Sequence, residues 1–480
     1  MPPSWRQVEE TFRKVWGYDR FRPPQDEIIK ALLAQQDVLV VLATGGGKSL
    51  CFQLPALLQS GVTLVISPLV ALMENQVSEL AERQLSAAVV HNQVDRFSWR
   101  RTLEAVSQNR LRLLYLSPET LLNRSVWEVL CQPQVQINGL ILDEAHCLVQ
   151  WGETFRPAYR RLGTVRSALL KYKPAGTRIP VAAFTATANP DAQQVLENVL
   201  QLSKPKRICL SPYRRNLHIS IKTVWTARGR QQSLLKFISQ YPQRSGLVYV
   251  RTRRDAEMLA DTLAQTSYRT TAYHAGLSSM RRRQIEASWL AGDIPVVVCT
   301  SAFGMGINKP DVRFVAHYQA PSLLSEYIQE IGRGGRNGQR ADALTLVSER
   351  TGWLDSSDKQ RQQFFAQRQQ QQLVKAQQLA KRIPQQGNIQ DATQQHRDAP
   401  IALSVLHTVG QLEWNDPFTY VIHQDRRRHA KSGQHAAMKE MARFLRSKDC
   451  RWQHILTAFG CEAEAAAMGR CGHCDRCQAR

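Results

Sequence analysis

The 480 residues contain no run of about 18 apolar positions, so no membrane span is expected. The opening Met1-Pro2-Pro3-Ser4-Trp5 lacks the apolar core of an export signal, which leaves the cytosol as the expected compartment. Acidic residues are scarce. Against 63 Lys and Arg stand 40 Asp and Glu, a formal charge of +23. That deficit favours a polyanionic partner, because each phosphate neutralised by the protein releases counterions. Cysteine is not spread as a disulfide framework. Five of the ten (Cys51, Cys131, Cys147, Cys209, Cys299) are scattered and read as buried thiols, whereas Cys450, Cys461, Cys471, Cys474 and Cys477 crowd the C-terminal end. In a reducing compartment such a cluster indicates a metal site.

The length suits about three domains. Two long segments alternate short β-branched runs with helical patterns, the signature of parallel α/β sheets. The first carries Val38–Ala43, Val62–Ser67, Leu113–Ser117, Leu140–Asp143 and Val181–Thr185; the second carries Leu247–Val250, Thr270–His274, Val296–Thr300 and Phe314–His317. A joint is expected near Lys204–Arg215, where Pro205 and Pro212 bracket a basic stretch. The composition changes after about Val347. Gln362–Gln378 is rich in Gln and Arg and reads as a solvated helix or linker. Helical Ile401–Gly410 and the short strands Gln411–Trp414 and Thr419–Ile422 suggest a winged-helix-like unit over about Leu373–Gln424. The expected fold is α/β, with two tandem RecA-like parallel-sheet domains (1–205 and 206–350). A linker with the winged-helix-like unit (351–430) and a small helical zinc-binding module (431–480) follow.

Strand Val38–Ala43 runs into Thr44-Gly45-Gly46-Gly47-Lys48-Ser49 with a helix behind it. Glycines let backbone N–H groups turn toward phosphates, and the helix N-terminus adds positive potential. Lys48 suits the β- and γ-phosphates of ATP and Ser49 a Mg²⁺ ion, although the full pattern wants glycine at Leu42. Asp143 and Glu144 follow a buried strand; one carboxylate can hold Mg²⁺ and the other orient and deprotonate the attacking water. In the second segment, Gln329-Glu330-Ile331-Gly332-Arg333-Gly334-Gly335-Arg336 ends a helix with two arginines fit for a γ-phosphate. The set Lys48, Asp143, Glu144, Gln329, Arg333 and Arg336 is expected to be catalytic.

Together these elements resemble superfamily 2 helicases, and the surrounding residues resemble the RecQ DNA helicases in particular. The resemblance runs from about Tyr18 through Gly338 and resumes near Lys439–Cys477. Trp16 to Gln25 looks like that family's adenine-reading motif, with Tyr18 to stack, Arg22 as a cation and Gln25 for the adenine edge. Ser67-Pro68-Leu69 resembles a DNA-contacting motif, and Phe184-Thr185-Ala186-Thr187-Ala188 the motif that couples hydrolysis to movement. Arg214 and Asn216-Leu217 fit the inter-domain signature. Tyr273-His274-Ala275-Gly276 and Phe303 to Arg313 match in order. Ala145 to Pro157 aligns with the aromatic-rich loop, which implies that Trp151 and Phe155 stack on bases while Arg156 engages DNA.

The resemblance implies a 3′–5′ DNA helicase with ATP and Mg²⁺. It would be a monomer acting on single-stranded and on 3′-tailed or branched duplex DNA. The expected partners are single-strand-binding protein or other repair factors, with a nucleoid location if the source is bacterial. A strand translocase or annealing factor is the alternative. This sequence departs from the family pattern at Glu74-Asn75, Glu153-Thr154, Gly334 and Asn337. These departures bear on coupling between DNA and ATP hydrolysis rather than on hydrolysis itself.

Cys471, Cys474 and Cys477 lie at i, i+3 and i+6 and suit three positions of a Zn²⁺ tetrahedron. The spacing leaves the fourth ligand open among Cys450, Cys461 and His473, and the family site points to Cys450. In much of the family a wing follows the zinc module; here the 373–424 unit is expected to stand in for it.

Overall fold

The computed structural model describes residues 3–43, 45–149, 156–266, 268–304, 307–349, 355–423 and 433–478. Two parallel sheets dominate it. The first comprises β1 (Val38–Val41), β2 (Val62–Ile66), β3 (Ala87–Val90), β4 (Leu113–Leu116), β5 (Ile137–Leu142), β6 (Val181–Thr185) and β7 (Lys206–Cys209), in the order β3-β4-β2-β5-β6-β1-β7. The second comprises β8 (Leu217–Val224), β9 (Gly246–Tyr249), β10 (Thr270–Tyr273), β11 (Val296–Cys299), β12 (Phe314–His317) and β13 (Ala341–Ser348), in the order β10-β11-β9-β12-β13-β8. Strands β1, β2, β4, β6, β9, β11 and β12 are buried at every residue, as strands covered by helices on both faces must be.

Four strands escaped the sequence pattern. Residues read as the joint include β7, an edge strand paired with β1 through Val38–Lys206 to Val41–Cys209. Only Ile208 of β7 is buried, so its sequence carries basic residues instead of an apolar run. β3 is only partly covered, and β8 and β13, which pair along eight residues, mix polar and apolar positions.

The Gln-rich stretch lies within one long helix, Ser357–Ala380. A strand β14 (Gln386–Asn388) and two helices (Ile389–Gln395, Ala399–Thr408) come next, then the hairpin β15 (Leu412–Trp414) and β16 (Thr419–Ile422). The sheet order β14-β16-β15 closes a winged-helix-like β-α-α-β-β unit around Leu403, Leu406, Leu412, Tyr420 and Ile422.

The chain forms two compact units. The first runs to Leu210 and takes in Arg368–Gly433; the second holds Ser211–Gln367, Gln434–Arg480 and Ala43–Gly45. The winged-helix-like element therefore packs with the first sheet. Phe418 meets Trp127 edge-on at 5.2 Å, and Arg161 Nη1 donates to the Pro417 carbonyl at 3.2 Å. The C-terminal helices pack with the second sheet. Trp452 is fully buried, donates its indole N–H to the Leu217 carbonyl at 3.1 Å and meets Tyr213 edge-on at 5.2 Å. Arg451, also fully buried, pairs with Asp475 at 2.9 and 3.0 Å, and Asp475 in turn accepts from the Ile221 N–H at 3.2 Å.

Trp452→Ala would leave a large cavity and an orphaned carbonyl on β8, a loss of about 3–5 kcal/mol. The urea midpoint of the second unit, followed by hydrogen exchange at β8 and β13, should fall accordingly, while exchange at β1 and β6 stays unchanged.

Candidate active site

In a parallel sheet the chemistry gathers at the carboxyl ends of the strands. β1 ends in the phosphate loop, and the helix Lys48–Leu58 starts directly behind it. Gly45 and Gly47 adopt positive φ of 89° and 75°, which side chains disfavour. A Cβ at Gly47 would also collide with the Gln25 amide. Leu42 does not disturb the loop: its side chain is buried in the sheet core, and its carbonyl accepts from Lys48 Nζ at 3.2 Å. The Ser49 hydroxyl accepts from Gln76 Nε2 at 3.1 Å. Gln76 was not singled out from the sequence. It lies on the stripe of the buried Met73 and Leu80, and a polar residue on an apolar stripe is the signal that would have found it.

Asp143 directly follows β5, and its N–H donates to the Ile66 carbonyl at 2.9 Å. Burial, and then the charge of Glu144, raise its carboxyl to about 7, with Lys48 opposing. Glu144 sits in the left-handed region at φ 51°, a conformation non-glycine residues hold at a cost. Its carboxylate lies 3.2 Å from His146 Nδ1, which is also 3.2 Å from the Thr185 hydroxyl. Burial disfavours a charged His146, but Cys147 and Glu144 outweigh burial and lift the imidazole to about 10. Thr185 in turn accepts from the Thr187 N–H at 3.2 Å, so the carboxyl ends of β5 and β6 form one polar network.

Tyr18 is 54% exposed, its ring 6.0 Å from that of Phe12. Gln25 is buried and its amide already has partners: Oε1 accepts from the Arg22 N–H at 2.9 Å and Nε2 donates toward the Gly46 and Gly47 carbonyls at 3.4 Å. Gln25 thus holds the phosphate loop itself. The Ser67 hydroxyl, just past the end of β2, is buried without a partner among the described residues. Arg156 pairs with Glu119 at 3.2 Å. Thr44, Trp151, Glu153-Thr154, Phe155, Met305 and Gly306 lie outside the described residues.

In the second unit Gln329 lies in the last turn of the helix Leu324–Ile331, and the arginine turn follows. Arg333 donates to the Gly304 carbonyl, and Arg336 Nη1 to the Ile307 carbonyl and Asn308 Oδ1 at 3.1 and 3.0 Å. Burial, then the neighbouring Arg333 and Arg214, push Arg336 down to about 10. The turn is clamped by Arg214, donating to the Gly332 and Gly335 carbonyls at 2.9 and 2.5 Å, and by Asn216, donating to Gly335 and Gln339 at 2.7 Å. The helix leading into it is fixed by Glu330. Arg251 grips its carboxylate with two bonds of 2.8 and 2.7 Å, and His317 Nε2 approaches at 2.9 Å. The sequence pattern pointed to neither Arg251 nor His317.

The Sγ atoms of Cys450, Cys471, Cys474 and Cys477 lie within 4.8 Å of one another, the spread a tetrahedral metal site needs. Two backbone N–H groups point at these sulfurs, Cys471 N–H to Cys450 Sγ at 3.3 Å and Arg451 N–H to Cys474 Sγ at 3.4 Å. Such bonds suit thiolates and fit a cation in their midst. Cys461 and His473 stand outside this group; the His473 ring contacts the Cys471 carbonyl at 2.7 Å.

Two parallel sheets, a phosphate loop with paired carboxylates on one and an arginine turn on the other define the helicase class of nucleotide-driven motors. The model of the DEAD/DEAH box helicase matches residues 22–195, that of the helicase conserved C-terminal domain 229–338, and that of RecQ zinc-binding 417–478. The chain is 50% identical over 474 residues to the ATP-dependent DNA helicase RecQ of Synechocystis, covering 98% of both chains. It is 36% identical to the same-named protein of Haemophilus influenzae, over 69% of this chain and 52% of that one. Among solved structures, the Mycobacterium smegmatis helicase Lhr bound to single-stranded DNA and AMP-PNP aligns at TM-score 0.57, covering 91% of this chain and 61% of that one at 19% identity, a likeness of fold. The chain belongs to the RecQ family of ATP-dependent DNA helicases.

Burial raises the Glu330 carboxyl, but Arg251 and His317 overcome this and hold it down at about 2, below its ordinary 4.5. A lowered folded value means that its stabilisation is complete above pH 4.5 and is lost as pH falls toward 2. Glu330→Gln should cost about 3–5 kcal/mol at pH 7, because Arg251 is left buried without its partner. Urea titrations of variant and parent should converge as the pH falls through that window.

Proposed function

We propose that the chain is an ATP-dependent 3′–5′ DNA helicase that couples ATP hydrolysis to translocation along single-stranded DNA and to duplex unwinding. The observation that carries this is the group at the carboxyl edge of the first sheet: Lys48 beside the buried Asp143 and the half-buried Glu144, whose like charges repel. A carboxyl held up to about 7 by burial and a like charge is poised to accept a divalent cation. Asp143 and Ser49 are the groups that would hold Mg²⁺, which when bound supplies charge neutralisation at the phosphates. Lys48 binds the β- and γ-phosphates, and Glu144, fixed by His146, orients the attacking water. Arg333 and Arg336 keep buried nitrogens with no hydrogen-bond partner among the described residues (Nε of both, Nη2 of Arg336), donors suited to phosphoryl oxygens. Ser67, Arg156, Trp151 and Phe155 are proposed DNA contacts.

Lys48→Ala should lower DNA-stimulated ATP turnover by about a hundredfold or more and abolish separation of a 3′-tailed duplex. Equal turnover in variant and parent would refute the assignment, and turnover without strand separation would leave a translocase.

Cys450, Cys471, Cys474 and Cys477 are proposed to hold a structural Zn²⁺. Because Cys450 and Cys474 belong to the same apolar core as β8 and Tyr327, loss of the ion should loosen more than the terminal turn. A strong chelator is expected to release one zinc per chain and to speed proteolysis across Gln434–Arg480, with hydrogen exchange rising at β8. Release of zinc with no change at β8 would confine its effect to the tail.

A further inference from the structure

Within the first unit, the run of 3₁₀ turns Pro157–Thr164, the helix Pro190–Leu200 and the winged-helix-like element enclose a cleft of about 470 Å³. The first two approach so closely that a Cβ on Gly163 would overlap the Val199 carbonyl. One wall carries Arg160, only 6% exposed, whose guanidinium makes no hydrogen bond or ion pair among the described residues and whose Nε is buried without a partner. Opposite come His407 and Trp414, and His407 Nδ1 and the Trp414 indole nitrogen are likewise buried without partners. The exposed Asn198 and Gln201 stand at the rim. Glu413 is the one carboxylate on the lining; it is exposed and faces His423 at 3.4 Å.

A buried guanidinium without an acceptor is costly, whereas an arginine serving only to pack would find a carbonyl or carboxylate. The adjacent Arg161 does so through Nη1, which donates to the Pro417 carbonyl, although its Nε too has no partner among the described residues; its guanidinium lies over the Trp414 ring at 6.0 Å. Arg160 keeps its charge at neutral pH, since burial lowers it only to about 10. Burial, then the charge of Arg160, push His407 down to about 4, against Glu413, so His407 adds no second cation. One uncompensated cation with uncommitted nitrogens around it asks for a compact anion rich in acceptors.

We propose that this cleft binds a phosphate group, with Arg160 as its charge partner and the Trp414 indole N–H as a further donor. The tetrahedral oxyanion offers acceptors toward both walls, which a planar carboxylate does less well. It can be a phosphate of a nucleic-acid strand or a free phosphate. The first residue lining the cleft, Arg160, lies four residues along the chain from Arg156, one of the proposed DNA contacts.

The test uses the full chain labelled with ¹⁵N-tryptophan, whose ten indole signals include Trp414, identified by its loss in Trp414→Phe. At constant ionic strength, inorganic phosphate should shift the Trp414 signal saturably. Arg160→Met should abolish the shift, and Arg160→Lys, which keeps the charge but not the fork, should weaken it about tenfold. Asn198→Asp places an anion on the exposed rim without touching the core and should also weaken it. If a single-stranded oligothymidylate shifts the same signal and competes with phosphate, the source is a strand; if only phosphate does, it is a free anion. The proposal is overturned if neither ligand moves the signal, if the shift survives Arg160→Met or Asn198→Asp unchanged, or if acetate and a glutamate-rich peptide move it while phosphate does not.

Discussion

A strand buried on both faces can offer chemistry only where it ends, and this constraint shapes the whole molecule. β1, β2, β5 and β6 are buried along almost their whole lengths, and each gives way at its carboxyl end to polar groups: the phosphate loop, Ser67, Asp143-Glu144 and Thr185-Thr187. Crowding charge at one edge of a dry sheet has electrostatic consequences. Asp143 is pushed up, Glu144 is held in a left-handed conformation, and His146 is drawn toward the charged form. The second sheet obeys the same rule with opposite sign. There a buried carboxylate, Glu330, is saturated by Arg251 and His317 and so fixes the helix that presents the arginines.

The same constraint decides what could be read in advance. Nine strands are legible, eight of them because burial on both faces makes them near-continuous apolar runs; the ninth, β10, is a partly covered edge strand read from its β-branched Thr270-Thr271. β7 and β8 are not, because an edge strand spends its residues on solvent and a strand in register with a polar partner mixes both kinds. Residues proposed to bind phosphates or metals in fixed local spacing are legible too, since Gly45 to Ser49 and Cys471 to Cys477 are neighbours in the chain. Residues that act through tertiary partners are not. Gln25 reads as a base-recognising amide, yet its amide is engaged with the phosphate loop. Arg160 carries no local pattern at all, because its burial beside the winged-helix-like element is a tertiary feature.

The two C-terminal additions divide between the units. The winged-helix-like element joins the core around Trp127 and Leu162 through Phe418, and the cysteine-bearing helices join the core around Leu217 and Tyr327. Each thereby acts as part of a motor domain's own packing. The Gln-rich helix contributes Leu373, Ala376 and Leu379 to the winged-helix-like element's own core, and Phe418 ties that element to the first sheet's core.

The separation of these partners along the chain has a consequence for how the protein is made. Arg161 and Pro417 are 256 residues apart, and Leu217 and Trp452 are 235 apart. At translation speeds of about 5–20 residues per second, the first sheet waits roughly 10–50 s for its cover to emerge from the ribosome. During that interval Trp127, Arg160 and Arg161 lack the cover of the winged-helix-like element. Nascent chains stalled before Pro417 would therefore expose a sticky, basic face that the finished protein never shows.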